Sequence, residues 1–200
     1  MTGRTHLAAG ITTGLGACLL LQTKDPNIVA VSALCSSLGS LMPDIDTDKA
    51  TISHLGFLSR GLAAICSSIS SHRRFWHTPI AGIIFATTTM LLFLALRLIQ
   101  IPLVSTWVYN IPLYIPFIMF YLGWLSHLLL DSCNPQGVPW FFPAEPLSKK
   151  KTFKRISVTT ASNKEIYYKV LFVLTAFILI LLWVNTFTHD ILNTIYHTLI

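Results

Sequence analysis

The sequence predicts an all-α, polytopic membrane protein of about five transmembrane helices plus one interfacial or re-entrant helix. Three observations carry this. Hydrophobic residues make up 53% of the 200 and charged residues 11%, with a mean hydropathy of +0.64, a balance far from that of a soluble domain. Several apolar runs approach the ~20 residues that a bilayer-spanning helix needs. The basic residues fall between apolar runs, mostly between alternate ones, as membrane orientation demands.

The first run, 6–22, is rich in small residues. Gly10-xxx-Gly14 permits close helix approach. Although it follows Arg4 as a leader would, Leu19–Lys24 offers no small-residue cleavage pattern, so the run is expected to be retained. Thr23–Asn27 reads as a turn. The second run, 28–42, carries Ser32, Ser36, Ser37, Gly39 and Ser40, which predicts a helix packed against protein more than lipid. Pro43 ends it. Residues 52–71, interrupted by His54, Arg60 and several serines, read as the interfacial or re-entrant helix. Residues 79–97 are a clear span and 97–110 a short connection. Residues 111–131 form the fourth span, with Pro112 and Pro116 tolerable near its start. A long polar stretch, 135–168, precedes the last span, 168–187, and a short tail. No boundary or repeat divides the chain, so residues 1–200 form one domain. Cys18, Cys35, Cys66 and Cys133 form no CxxC pair, which argues against a zinc knot.

With the N-terminus in the cytoplasm, the cytoplasmic pieces are 1–5 and the loops 43–78 and 132–167. They hold Arg4, Lys49, Arg60, Arg73, Arg74, Lys149, Lys150, Lys151, Lys154, Arg155 and Lys164, eleven of the fourteen basic residues. The positive-inside rule therefore sets this orientation and places the C-terminus outside. The net charge of +6 sits in loops and not on one folded basic face, so nucleic acid is not the expected partner; membrane lipids are.

The same topology gathers the polar residues. His6 begins span one, Asp44 and Asp46 follow span two, His72 and His77 precede span three, and His127 and Asp131 end span four. His127 and Asp131 are spaced i,i+4, so both lie on one helix face, one turn apart. Ionisable groups at a membrane are expensive and are functional by default. Imidazoles with carboxylates suit a divalent metal, zinc or manganese foremost, and seven candidate ligands leave room for one or two ions. His77 is the weakest single ligand, because a Thr-Pro turn follows it. Arg73 and Arg74 could hold an anionic substrate, against the alternative of positive-inside anchoring; two ions could share a bridging Asp, and Asp46 is a catalytic candidate besides being a ligand. Glu165 is a candidate general base or further ligand, against the alternative of a solvated helix-start carboxylate. Asn134 and Gln136 could orient ligands, and Trp140, Phe141 and Phe142 fit an interfacial belt or a substrate entrance.

Taken together, His6, PDID at 43–46, HRRFWHT at 72–78 and HLLLDSCNPQGVPWFFP at 127–143 resemble the YdjM-type bacterial inner-membrane proteins, described as LexA-regulated, membrane-bound, predicted metal-dependent hydrolases. TTASNKE at 159–165 also resembles that family's approach to its last helices. The resemblance implies a multi-pass protein of the bacterial inner membrane, with His6, Asp44, Asp46, His72, His77, His127 and Asp131 as its polar signature. HRRFWHT departs from the more usual form, which has Thr before the second His and Ser after it; Trp76 and Thr78 stand there instead and bear on pocket shape.

Three functions compete. The first is a metal-dependent hydrolase at the cytoplasmic membrane face, with a lipid, lipid-linked or phosphoester substrate. The second is a metal or proton transporter, which should place ionisable groups near the midplane. The third is a non-enzymatic membrane protein with a structural metal site.

Overall fold

A computed structural model describes residues 1–45, 61, 75–99, 109–152 and 158–199. Among these, five α-helices carry the fold: α1 (Gly3–Leu20), α2 (Pro26–Leu41), α3 (Pro79–Ile99), α4 (Tyr114–Ser132) and α5 (Asn163–Leu199). Short 3-10 turns at Met42–Asp44 and Phe75–His77 extend α2 and lead into α3. No strand forms among the described residues beyond one isolated bridge between Val138 and Lys151. Apart from Gly61, the expected interfacial helix at 52–71 lies outside the described residues.

Helices α1, α2 and α4 pack mutually, while α3 lies on α4 and α5 on α1. The inner contacts rest on small residues. A methyl group on Gly10 or Gly14 would strike Ser40 or Ser36 of α2, and one on Gly123 would strike the Ser36 carbonyl. Gly39 in turn lies against the Phe120 carbonyl. Ser36 Oγ donates to the Gly10 carbonyl at 2.5 Å. Where lipid is as apolar as leucine, such close backbone approach and hydrogen bonding replace hydrophobic burial as the cause of association.

Among the described residues, four helical stretches are long and apolar enough to cross a membrane: Pro26–Asp44, Pro79–Ile99, Tyr114–Ser132 and Asn163–His189. Helix α1 is 18 residues long and carries Arg4, Thr5 and His6 in its opening turns. The hydroxyls of Thr87, Thr88 and Thr89 on α3 donate to carbonyls four residues back, so none of these hydroxyl protons is left without an acceptor.

Three helices start three or more residues from the expected limits, and the first of them, α1, begins at Gly3 instead of residue 6. Helix α4 starts at Tyr114, which leaves Pro112 before it and Pro116 at its third position, where the missing amide would have had no intrahelical partner. Helix α5 starts five residues early, at Asn163, and replaces the short tail by running on to Leu199. Ser162 and Glu165 give it a capping signature upstream of the apolar run, and no Pro or Gly follows Thr186 to stop it. At ~1.5 Å per residue, its 37 residues exceed the ~30 Å apolar core of a bilayer.

Candidate metal centre

The site forms where α1 begins, α2 ends, α3 begins and α4 ends. Each arm has a local cause. His77 is held because Thr78 caps α3: its Oγ1 accepts from the Ala81 amide at 3.2 Å, and Pro79 fills the first helical position, where it loses no bond. The Thr78 carbonyl also accepts from Trp124 Nε1 at 3.0 Å, which ties this cap to α4. The Thr-Pro turn is thus what fixes the orientation of His77. Asp44 is set by the 3-10 turn that Pro43 begins.

His127 is fully buried, and its Nδ1–H donates to the Ser40 carbonyl at 2.7 Å. That carbonyl belongs to the last turn of α2, where carbonyls lack intrahelical partners. A carbonyl can only accept, so the proton sits on Nδ1 and the lone pair on Nε2. Nε2 is buried and has no hydrogen-bond partner among the described residues. It lies 3.8 Å from Asp44 Oδ1 and 3.8 Å from Asp131 Oδ2. His77 Nε2 is 3.3 Å from Asp44 Oδ1 and 3.7 Å from Asp131 Oδ2.

One ligand atom from each of Asp44, His77, His127 and Asp131 falls within a single group no wider than 4.8 Å. His6 flanks it. Its ring stacks on His127 with centroids 3.8 Å apart, and its Nε2 is 3.4 Å from Asp131 Oδ1. The amino nitrogen of Met1 reaches the same oxygen at 2.9 Å. The group passes a simple test of fit. Ligand atoms about 2.0–2.2 Å from one tetrahedral ion stand roughly 3.3–3.6 Å apart, close to the spacings here. A buried lone pair lying between two carboxylates calls for a cation.

Of the seven ligands expected, the structure therefore brings together His6, Asp44, His77, His127 and Asp131. Asp46, His72, Arg73 and Arg74 lie outside the described residues. Glu165 is placed elsewhere: it is buried rather than solvated, and its carboxylate is bound by α1 and by Ala161. Asn134 folds locally, its Oδ1 accepting from the Gln136 amide at 3.3 Å. Trp140 Nε1 donates to Ser132 Oγ at 2.7 Å, beside Asp131, and Phe142 meets Phe75 edge-on. Sequence reasoning missed Ser40 and Trp124 as supports of His127 and His77. The one available signal was the serine-rich face of α2.

The fold and this group define a helical membrane protein with a buried His/Asp cluster at one end of its bundle. The profile of the family described as "YdjM inner membrane protein" matches residues 1–192, and the chain belongs to that family. It is also similar to the "Uncharacterized protein YvsG" of Bacillus subtilis (strain 168), 30% identical over 144 residues that cover 72% of this chain and 74% of that protein. No solved structure matches the chain.

Proposed function

We propose that the chain is a multi-pass, membrane-embedded, metal-dependent hydrolase with a cytoplasmic N-terminus and its His/Asp site at the cytoplasmic face. The observation that carries the reading is the Nε2 lone pair of His127, fixed by the Ser40 carbonyl and facing two carboxylates across 3.8 Å. Asp44, His77, His127 and Asp131 would hold a divalent ion, with His6 beside them; zinc or manganese suits these nitrogen and oxygen donors, and one or two ions can be served. Such an ion would activate a water and stabilise the oxygens of a displacement.

The chain's own residues supply the rest. Asp131 and the imidazoles are nearly fully enclosed, whereas the Asp44 side chain is 20% exposed. That opening favours approach of substrate from the Asp44 side. A site at the end of the bundle meets the headgroup layer, which favours a phosphoester or lipid-linked substrate. The same position disfavours the transporter reading, which needs ionisable groups along a path.

The test is metal analysis of purified protein, then hydrolysis of phosphomonoester, phosphodiester, carboxylic ester and amide substrates. Asp131→Asn is expected to lower metal content and hydrolysis together, with membrane insertion unchanged. Full metal content and unchanged hydrolysis in a variant lacking both His127 and Asp131 would refute the reading. A reporter fused after Ile200 should read outside; a cytoplasmic signal would overturn the five-span orientation.

A further inference from the structure

The N-terminal turn of α1 has no cap of its own. Thr2 makes no side-chain capping bond, no acidic residue lies in the first turn, and Arg4 adds a positive charge where the helix dipole disfavours one. A buried helix end needs acceptors for its first amides. Here they come from another helix. Glu165, in the first turn of α5, is 2% exposed. Its Oε1 accepts from the Thr2 amide and from Thr5 Oγ1, the latter at 2.8 Å. Its Oε2 accepts from the Ala161 amide at 2.5 Å. Ser162 Oγ meanwhile accepts from the Glu165 amide at 3.3 Å. The capping box of α5 is thus shared: one carboxylate oxygen closes α5's own start, and the other closes the start of α1.

We propose that Glu165 is a positioning residue, fastening the first turn of α1 to the start of α5 and so fixing the His6 imidazole against His127 and Asp131. Thr5 and His6 are adjacent and both fully buried. Two bonds, from the Thr2 amide and Thr5 Oγ1, hold the turn that carries them to this carboxylate, and a third ties the carboxylate to Ala161. Helix ends open locally more easily than the rest of a fold, and without Glu165 the end that opens carries His6. The role of the latch in metal binding rests on the metal-site reading above; the latch itself does not.

Two measurements on the full-length protein test it. The first needs no metal: carbethoxylation of histidines in chelator-treated protein, resolved by mass spectrometry. Glu165→Ala should raise the reaction rate at His6 about tenfold, the scale of one lost charge-assisted hydrogen bond, and leave His127 nearly unchanged, with exposed His189 as the reactive reference. Thr5→Val, which removes one donor and keeps the shape, should act the same way by about threefold. Unchanged protection of His6, or equal exposure of His6 and His127, overturns the latch.

The second measurement is Co(II) affinity. Glu165→Ala should weaken it about tenfold in the native background and not at all in a His6→Ala background, because the effect passes through His6. Additive losses overturn the positioning role. Wild-type protein that binds no Co(II) counts against the metal site, while selective exposure of His6 still upholds the latch.

Discussion

Helices α2 and α5 invert the rule of soluble proteins. α5 is the more apolar of the two, yet among its described side chains only Glu165 and Ala176 are buried within the protein, against 50% of the stretch for α2. α2 carries Ser32, Ser36 and Ser40, all fully buried, and gives the site its Ser40 carbonyl and Asp44. α5 leaves Val173, Leu174, Phe177 and Ile178 exposed and meets the inner bundle along one narrow strip, through Ala176, Leu179 and Trp183 and a few polar bonds. In a membrane, apolar side chains gain nothing by leaving lipid for protein, so close backbones and hydrogen bonds decide which helices lie inside. Polarity therefore marks both the packed core and the site.

The largest effect should come from the packing of the inner helices. Gly123→Leu would drive a side chain into the Ser36 backbone and is expected to cost more than ~3 kcal/mol, since overpacking has no room to relax. Leu174→Ala on α5, at a side chain 55% exposed, should stay within about 0.5 kcal/mol. Thermal unfolding in the same detergent measures both. Equal losses would end the distinction between inner and outer helices.

Trp124→Phe comes next. It keeps the ring, which stacks on Phe85, and removes only the donor to the Thr78 carbonyl. That carbonyl is buried beside His77. Its loss should cost about 1.5 kcal/mol, the upper end of a hydrogen bond's net worth, because the buried carbonyl then keeps only the longer bond from the Gly82 amide at 3.3 Å, and weaken metal binding several-fold through the cap that holds His77. Calorimetry of metal binding alongside unfolding separates the two effects. Lost stability with unchanged affinity would show that the cap does not orient His77.

How much of this was legible depended on the kind of interaction. Apolar length located the helices, and the serines of α2 announced a helix facing protein. The convergence of His6, Asp44, His77, His127 and Asp131 at one end followed from counting crossings, because each lies at the end of an apolar run. Support by backbone could not be read. The Ser40 and Thr78 carbonyls have no side-chain signature, and only the packing of α2 on α4 and of α3 on α4 brings them to His127 and Trp124. Glu165 shows the same limit from the other side. Its S-x-x-E spacing is a helix-start signal that the expected limit at 168 passed over, and nothing local says that its second oxygen serves another helix.

The smallest effect tests the same bond on an outer helix. Trp183 Nε1 donates to the Thr23 carbonyl at 2.7 Å, as Trp124 does to Thr78, but at the opposite end of α1. Here the indole is half-buried, stacks on Phe187, and walls a cavity of about 410 Å³ with Cys18, Gln22 and Thr186. Thr23 lies in the turn between α1 and α2, where its carbonyl can turn to water or a lipid headgroup when the donor is gone. Trp183→Phe should therefore cost about 0.5–1 kcal/mol, the net worth of a hydrogen bond whose acceptor is resatisfied. Metal affinity should not change, since none of the site residues shares a bond with this turn. If Trp183→Phe instead destabilises as much as Trp124→Phe, burial is not what separates the two tryptophans. If it alters metal binding, the α1–α5 contact carries strain along α1 to His6, and the two ends of the bundle are coupled.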